Sequence, residues 1–116
     1  MDIYHGFFSL KPGTSDMEFA TSLGQYMGYL KAQNKIETWR LMRRKLGLGP
    51  QEFGEFHLMI EVEGLAQLDE AFASVATRAG EVEGLHFGVN SKIESVKFAL
   101  YRDFPDPVRK TGEELF

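Results

Sequence analysis

Hydrophobic and polar positions alternate most strictly in residues 54–62, GEFHLMIEV. Phe56, Leu58, Ile60 and Val62 fall on one side, and Glu55, His57, Met59 and Glu61 on the other. A period of two with aromatic and branched residues on one side predicts a strand with one face in a core. The opening stretch DIYHGFFSL carries an echo: with Tyr4-His5 set over Phe56-His57, Phe8 falls over Ile60 and Leu10 over Val62. Strands are predicted over 3–10, 35–45, 54–62 and 93–103. In the second, Trp39 and Leu41 share one side, and Thr38, Arg40, Met42 and Arg44 the other. In the last, Val96, Phe98 and Leu100 face one way.

Between these strands the period changes. After the turn signal Lys11-Pro12-Gly13, Ser15-Asp16-Met17-Glu18 fits a capping box. Met17, Ala20, Leu23, Met27 and Leu30 then recur at helical spacing to about Gln33, with Asn34 as a left-handed stop. Ala20, Gly24, Gly28 and Ala32 form a row of small residues that lets another backbone come close. The favoured reading is packing on the domain's own sheet or second helix; the other is a dimer surface. A second helix is predicted over 64–79, with Leu65, Leu68, Phe72 and Val75 as its stripe, Arg78 in its last turn and Gly80 as its stop. Residues 81–91, EVEGLHFGVNS, are broken by glycine and read as a short helical turn or ordered loop. The connector 46–53 contains Gly47-Leu48-Gly49, which could form an anion-binding nest beside Arg43, Arg44 and Lys45. No Gly-Lys-Ser/Thr follows, so a solvated strand end is favoured. Pro105 and Pro107 end the pattern, which divides a domain at 1–107 from a polar tail at 108–116.

The order β-α-β-β-α-β predicts an α+β, ferredoxin-like fold, a four-stranded antiparallel sheet with both helices on one face. The covered face would be almost wholly apolar, as burial requires. The opposite face would carry His5, Phe7, Ser9, Arg40, Met42, Arg44, His57, Met59, Glu61, Lys97, Tyr101 and Asp103. That set is too polar for a second core, yet Phe7, Met42, Met59 and Tyr101 are too apolar for a plain wet surface. It suits the wall of a semi-polar cavity closed by a second sheet of the same kind.

Composition narrows the partners. A chain of 116 residues is one domain. Seventeen acidic against thirteen basic residues, net charge −4, argue against binding nucleic acid. No cysteine is present, so disulfide and thiolate chemistry are both out of reach. No apolar run approaches the roughly 18 residues of a membrane span, and the first strand starts too early for a signal peptide. A cytoplasmic protein with neither membrane nor nucleic-acid partner is expected.

DIYHGFFSL, YMGYLKAQNKIETWRLMRRKLGLGP, GEFHLMIEV and EVEGLHFGVN…FALYRDFPD resemble a small uncharacterised bacterial family of the dimeric α+β-barrel superfamily. The resemblance reaches to Pro107 and implies a homodimer of ferredoxin-like subunits paired sheet to sheet, with no activity to carry over. Other branches share the architecture alone. They include cofactor-free monooxygenases acting on phenols and quinols, haem-degrading enzymes, chlorite-dismutase-like haem proteins and stress-response barrels. Fold does not choose among them.

Candidate chemistry centres on the histidines. His5 and His57 are expected side by side on paired strands, with His57 the candidate acid or base near neutral pH. His86 could complete a three-nitrogen metal site, but no recognised metal spacing is present. Histidines satisfied in a subunit interface are an equally good reading. Arg40, Tyr101, Ser9, Phe7 and Met59 are the candidate substrate contacts: Arg40 for a carboxylate or phenolate, Tyr101 and Ser9 as donors to an oxyanion. Arg40 and Arg44 could instead pair with acids and zip the dimer. Trp39 reads as core, and Glu81 and Glu83 as a solvated turn. The expectation is a homodimer with a pocket for a small aromatic or carboxylated ligand, acting without metal or cofactor as an oxygenase or isomerase. The alternative is a non-catalytic ligand-binding or stress-associated dimer, and haem binding through a histidine ranks behind both.

Overall fold

Alternating strands and striped helices assemble in the computed structural model, which describes residues 1–77 and 79–105. The order is β1 (Asp2–Leu10), α1 (Asp16–Ala32), β2 (Thr38–Arg43), β3 (Phe56–Val62), α2 (Leu65–Ala76), α3 (Gly80–Asn90) and β4 (Ile93–Arg102). The strands form one antiparallel sheet in the order β2-β3-β1-β4. This is the ferredoxin-like arrangement, with a third helix. Arg78 and the tail at 108–116, both assigned from sequence, lie outside the described residues.

The helices cover one face because the alternation leaves that face apolar. Phe19, Leu23, Met27 and Leu30 of α1 are buried against Phe8 of β1 and Phe56 and Val62 of β3. The rings of Phe8, Phe19 and Phe56 lie 5.4 to 5.9 Å apart, within aromatic contact. The Ser15 hydroxyl accepts from the Glu18 amide at 3.2 Å, the hydroxyl half of the expected capping box. At Gly24 and Gly28 an added Cβ would meet nothing within 4 Å. The close approach expected of the small-residue row is therefore not made there within the chain.

Residues 80–90 form a full helix rather than a single turn. Val82 and Val89, seven apart, are buried, and Leu85 between them packs on the same core. Gly84 and Gly88 have open space where a side chain would sit, so they interrupt the sequence pattern without interrupting the helix.

Two backbone features shape the ends of the sheet. Gly54 has φ 75°, and a Cβ there would stand 2.6 Å from the Phe8 carbonyl, so only glycine lets the chain enter β3 at this angle. On β4 the register slips between Phe7 and Ser9, with Ser95 at φ 56°, as in a β-bulge. At the other end Asp2, only 2% exposed, accepts from Arg102 at 2.5 and 3.0 Å and ties β1 to β4.

Candidate functional site: a histidine pair on the uncovered face

The β1–β3 register sets His5 opposite Met59, and Phe7 opposite His57. The two histidines are therefore diagonal neighbours rather than directly opposed. Pleating turns both side chains away from the helices, where His5 Nδ1 and His57 Nε2 meet at 2.8 Å. One of these nitrogens must carry the shared proton and the other accept it. Phe7 stacks on His57 at 4.3 Å and 16°, and Tyr101 meets His5 edge-on at 5.2 Å. Partial burial lowers the basicity of His5. Partial burial, with the neighbouring His5 charge second, lowers that of His57. The neutral, hydrogen-bonded pair is thus the form the fold favours.

A cleft of about 210 Å³ opens beside His57, walled by Phe7, Met42, Arg44, Pro50 and Phe53. The connector before β3 makes half of it. Pro50 leads into a 3-10 turn, Gln51–Phe53, that lays Phe53 on Phe7 at 4.6 Å. Arg44 folds back and donates to the Pro50 carbonyl, and Gly49 leaves room for its guanidinium. This loop is therefore closed on its own arginine, in keeping with the structural reading of 46–53.

The candidate residues divide. His57 and Phe7 line this cleft, and His5 and Tyr101 join it through their ring contacts. Arg40 and Met59 line a separate hollow of about 100 Å³ with Trp39 and Glu61. Ser9 lies under the Gly54 turn, where its hydroxyl would be 2.8 Å from an added Cβ. His86 is on the opposite side of the sheet, edge-on to Tyr26 of α1 at 5.9 Å. The three-nitrogen metal site considered from sequence is not assembled, and no group of three or more potential metal ligands occurs among the described residues. Sequence reasoning missed Phe53; its signal was an aromatic three residues after Pro50.

The sequence profile of DUF6614, a family of unknown function, matches residues 1–116. No curated protein matches the chain. Among solved structures, the Arabidopsis thaliana protein At3g17210 is similar at TM-score 0.70 and 12% identity, covering 89% of this chain and 95% of its own. SnoaB, a cofactor-independent oxygenase from Streptomyces nogalater, is similar at TM-score 0.66 and 11% identity, covering 97% of both chains. A dimeric ferredoxin-like protein of unknown function from Bacteroides fragilis is similar at TM-score 0.57 and 16% identity, covering 88% of this chain and 95% of its own.

Proposed function

The chain belongs to the DUF6614 family, and since that membership brings no reaction with it, we propose from the geometry that it is a cytoplasmic homodimer binding a small aromatic or carboxylated molecule beside His57. The observation that carries this reading is the 2.8 Å histidine pair standing on the face that no helix among the described residues covers, next to an aromatic-walled cleft. A second copy laid on that face would shield Phe7, Met59 and Tyr101 and close the cleft to water. The description of the Bacteroides fragilis neighbour as dimeric supports such pairing.

With both rings neutral, Nε2–H of His57 can donate to Nδ1 of His5, which leaves Nδ1 of His57 as a free base. On accepting a substrate proton there, His57 becomes a cation that His5 steadies through the shared hydrogen bond. A phenol deprotonated in this way has two outlets that need no cofactor. It can react with dioxygen at a ring carbon, or take its proton back at carbon, which is an isomerisation. The cofactor-independent oxygenase described for SnoaB supports the first outlet. His5 orients His57, and Phe7 fixes its plane. Arg40, Met59, Ser9 and Tyr101 act as further substrate contacts only where the second copy folds their hollows into the same enclosure.

The test follows oxygen uptake and solvent-deuterium incorporation with hydroxylated naphthalenes and their carboxylates as probes. His57→Asn should sediment as a dimer and lose about 10²–10⁴-fold of any turnover, the range a positioned proton carrier supplies. Loss of the dimer in this variant would favour the second reading, a non-catalytic or stress-associated dimer whose open face is chiefly interface. One observation favours that second reading: Arg40 and Met59 occupy a hollow apart from His57.

A further inference from the structure

The register of β2 on β3 pairs Thr38 with Glu61 and Arg40 with Met59. Strand alternation turns all four side chains to the uncovered face, where they mark the corners of one small quadrilateral. Arg40 and Glu61 lie on one diagonal, Thr38 and Met59 on the other. Diagonal neighbours on paired strands stand about 7–8 Å apart, within reach of long side chains. Arg40 and Glu61 nevertheless do not meet. Both border the hollow of about 100 Å³ beside Trp39, and neither side chain has a hydrogen bond or ion pair among the described residues.

Most other charges on this face are matched within the chain. Arg44 donates to the Pro50 carbonyl, and Lys97 to that of Glu52. Glu55 pairs with Arg43 at 3.1 Å, and Asp103 with the amino group of Met1 at 3.4 Å. Glu94 stands away on β4, at the opposite edge of the sheet. On the β2–β3 side, one cation and one anion are left open. Equal copies laid face to face are related by a twofold axis lying in the seam, and the contact is isologous: what one copy offers, the other receives. An axis crossing the Arg40–Glu61 diagonal at its middle sets each copy's Arg40 over the partner's Glu61. The same axis passes beside Met59, which then faces its twin.

We infer that two ion pairs between the copies, each from Arg40 to the partner's Glu61, key the seam, so that the partner this corner fits is a second copy in one register. This rests on the pairing of two copies through the histidine face and adds the alignment of that pairing. Covering the corner in a register that left both charges unmatched would strip them of water with nothing in return. A guanidinium meeting a carboxylate by two points is directional, so the pair fixes register as well as attracting. Arg40 then belongs to the seam, and the hollow beside it receives the partner rather than a substrate.

The test is sedimentation equilibrium of the full chain with reversed charges. Arg40→Glu and Glu61→Arg should each raise the dissociation constant of the dimer about a hundredfold or more, because each puts two like-charged contacts where two matched ones stood. Both positions lie outside the core, so both variants should stay folded by circular dichroism. An equimolar mixture of the two should recover the dimer. In that heterodimer a copy with two glutamates meets a copy with two arginines, and both contacts are matched again. A pair made within one chain gains nothing from mixing. Should a reversal unfold the chain, Arg40→Gln and Glu61→Gln take its place: each should weaken the dimer about tenfold or more, and combining them should add nothing further, as for two ends of one bond. A dimer unmoved by these substitutions, or a mixture of the reversed variants that stays monomeric, would overturn this inference and leave the pairing of copies standing. A wild-type protein sedimenting as one chain would overturn both.

Discussion

The two sides of this sheet are made from the same strands and solve opposite problems. On the helix side, Phe19, Leu23, Met27 and Val62 are fully buried, and shape complementarity holds the fold. On the other side, His5, Phe7, His57 and Met59 are half-buried, and the three rings among them are linked by stacking and one imidazole hydrogen bond. Stability resides on the first face and titratable chemistry on the second. Substitutions on the first face should therefore cost folding energy, whereas on the second they should leave the fold intact and change what it can bind.

The largest effect should come from Phe19→Ala. Its ring is fully buried between Phe8 and Phe56, so thermal or denaturant unfolding should show a loss of about 3–5 kcal/mol. Next comes Gly54→Ala. The positive φ and the 2.6 Å approach to the Phe8 carbonyl should cost about 1–3 kcal/mol in backbone strain. Because Gly54 also borders the His57 cleft, resonances of Phe7 and His57 should move with it. Ser15→Ala removes the cap of α1 and should cost about 1 kcal/mol, with no change at the histidines.

The smallest effect separates the faces by pH. Both histidines are less basic in the fold than their ordinary value of 6.5. Below that value the unfolded chain takes up protons that the folded chain resists, so stability should fall as pH drops from about 6.5 through the lowered folded values. Above 6.5 neither state carries the charge, and this contribution is flat. In a double variant His5→Phe, His57→Phe the acid-side slope should shrink, as read by melting temperature between pH 7 and 5. An unchanged slope would place the acid sensitivity elsewhere.

Strand alternation made both faces legible in advance, because a period of two assigns each residue to a side before any partner is known. It did not set the register. His5 and His57 were expected side by side, and the pairing of His5 with Met59 instead makes them diagonal, still close enough to bond. The cleft was less legible, since half of its wall comes from the 3-10 turn at Gln51–Phe53, whose approach to Phe7 is a long-range contact. The glycines at 84 and 88 hid α3, and with it the buried oxygen of Glu83, which read as part of a solvated turn. His86 was drawn towards the other histidines by residue type alone, while helix α3 holds it on the far side of the sheet.

Pairing of two copies through the histidine face is tested most directly by sedimentation equilibrium of the wild-type protein beside Met59→Glu. Met59 is half-buried at the centre of that face, between Arg40 and His5, and a carboxylate placed there on both copies would bring a desolvated charge into the seam, a cost that the neighbouring Arg40 only partly offsets. The expected result is the mass of two chains for wild type and of one folded chain for the variant. A wild-type protein sedimenting as a single chain, or a variant that remains a dimer, would contradict it.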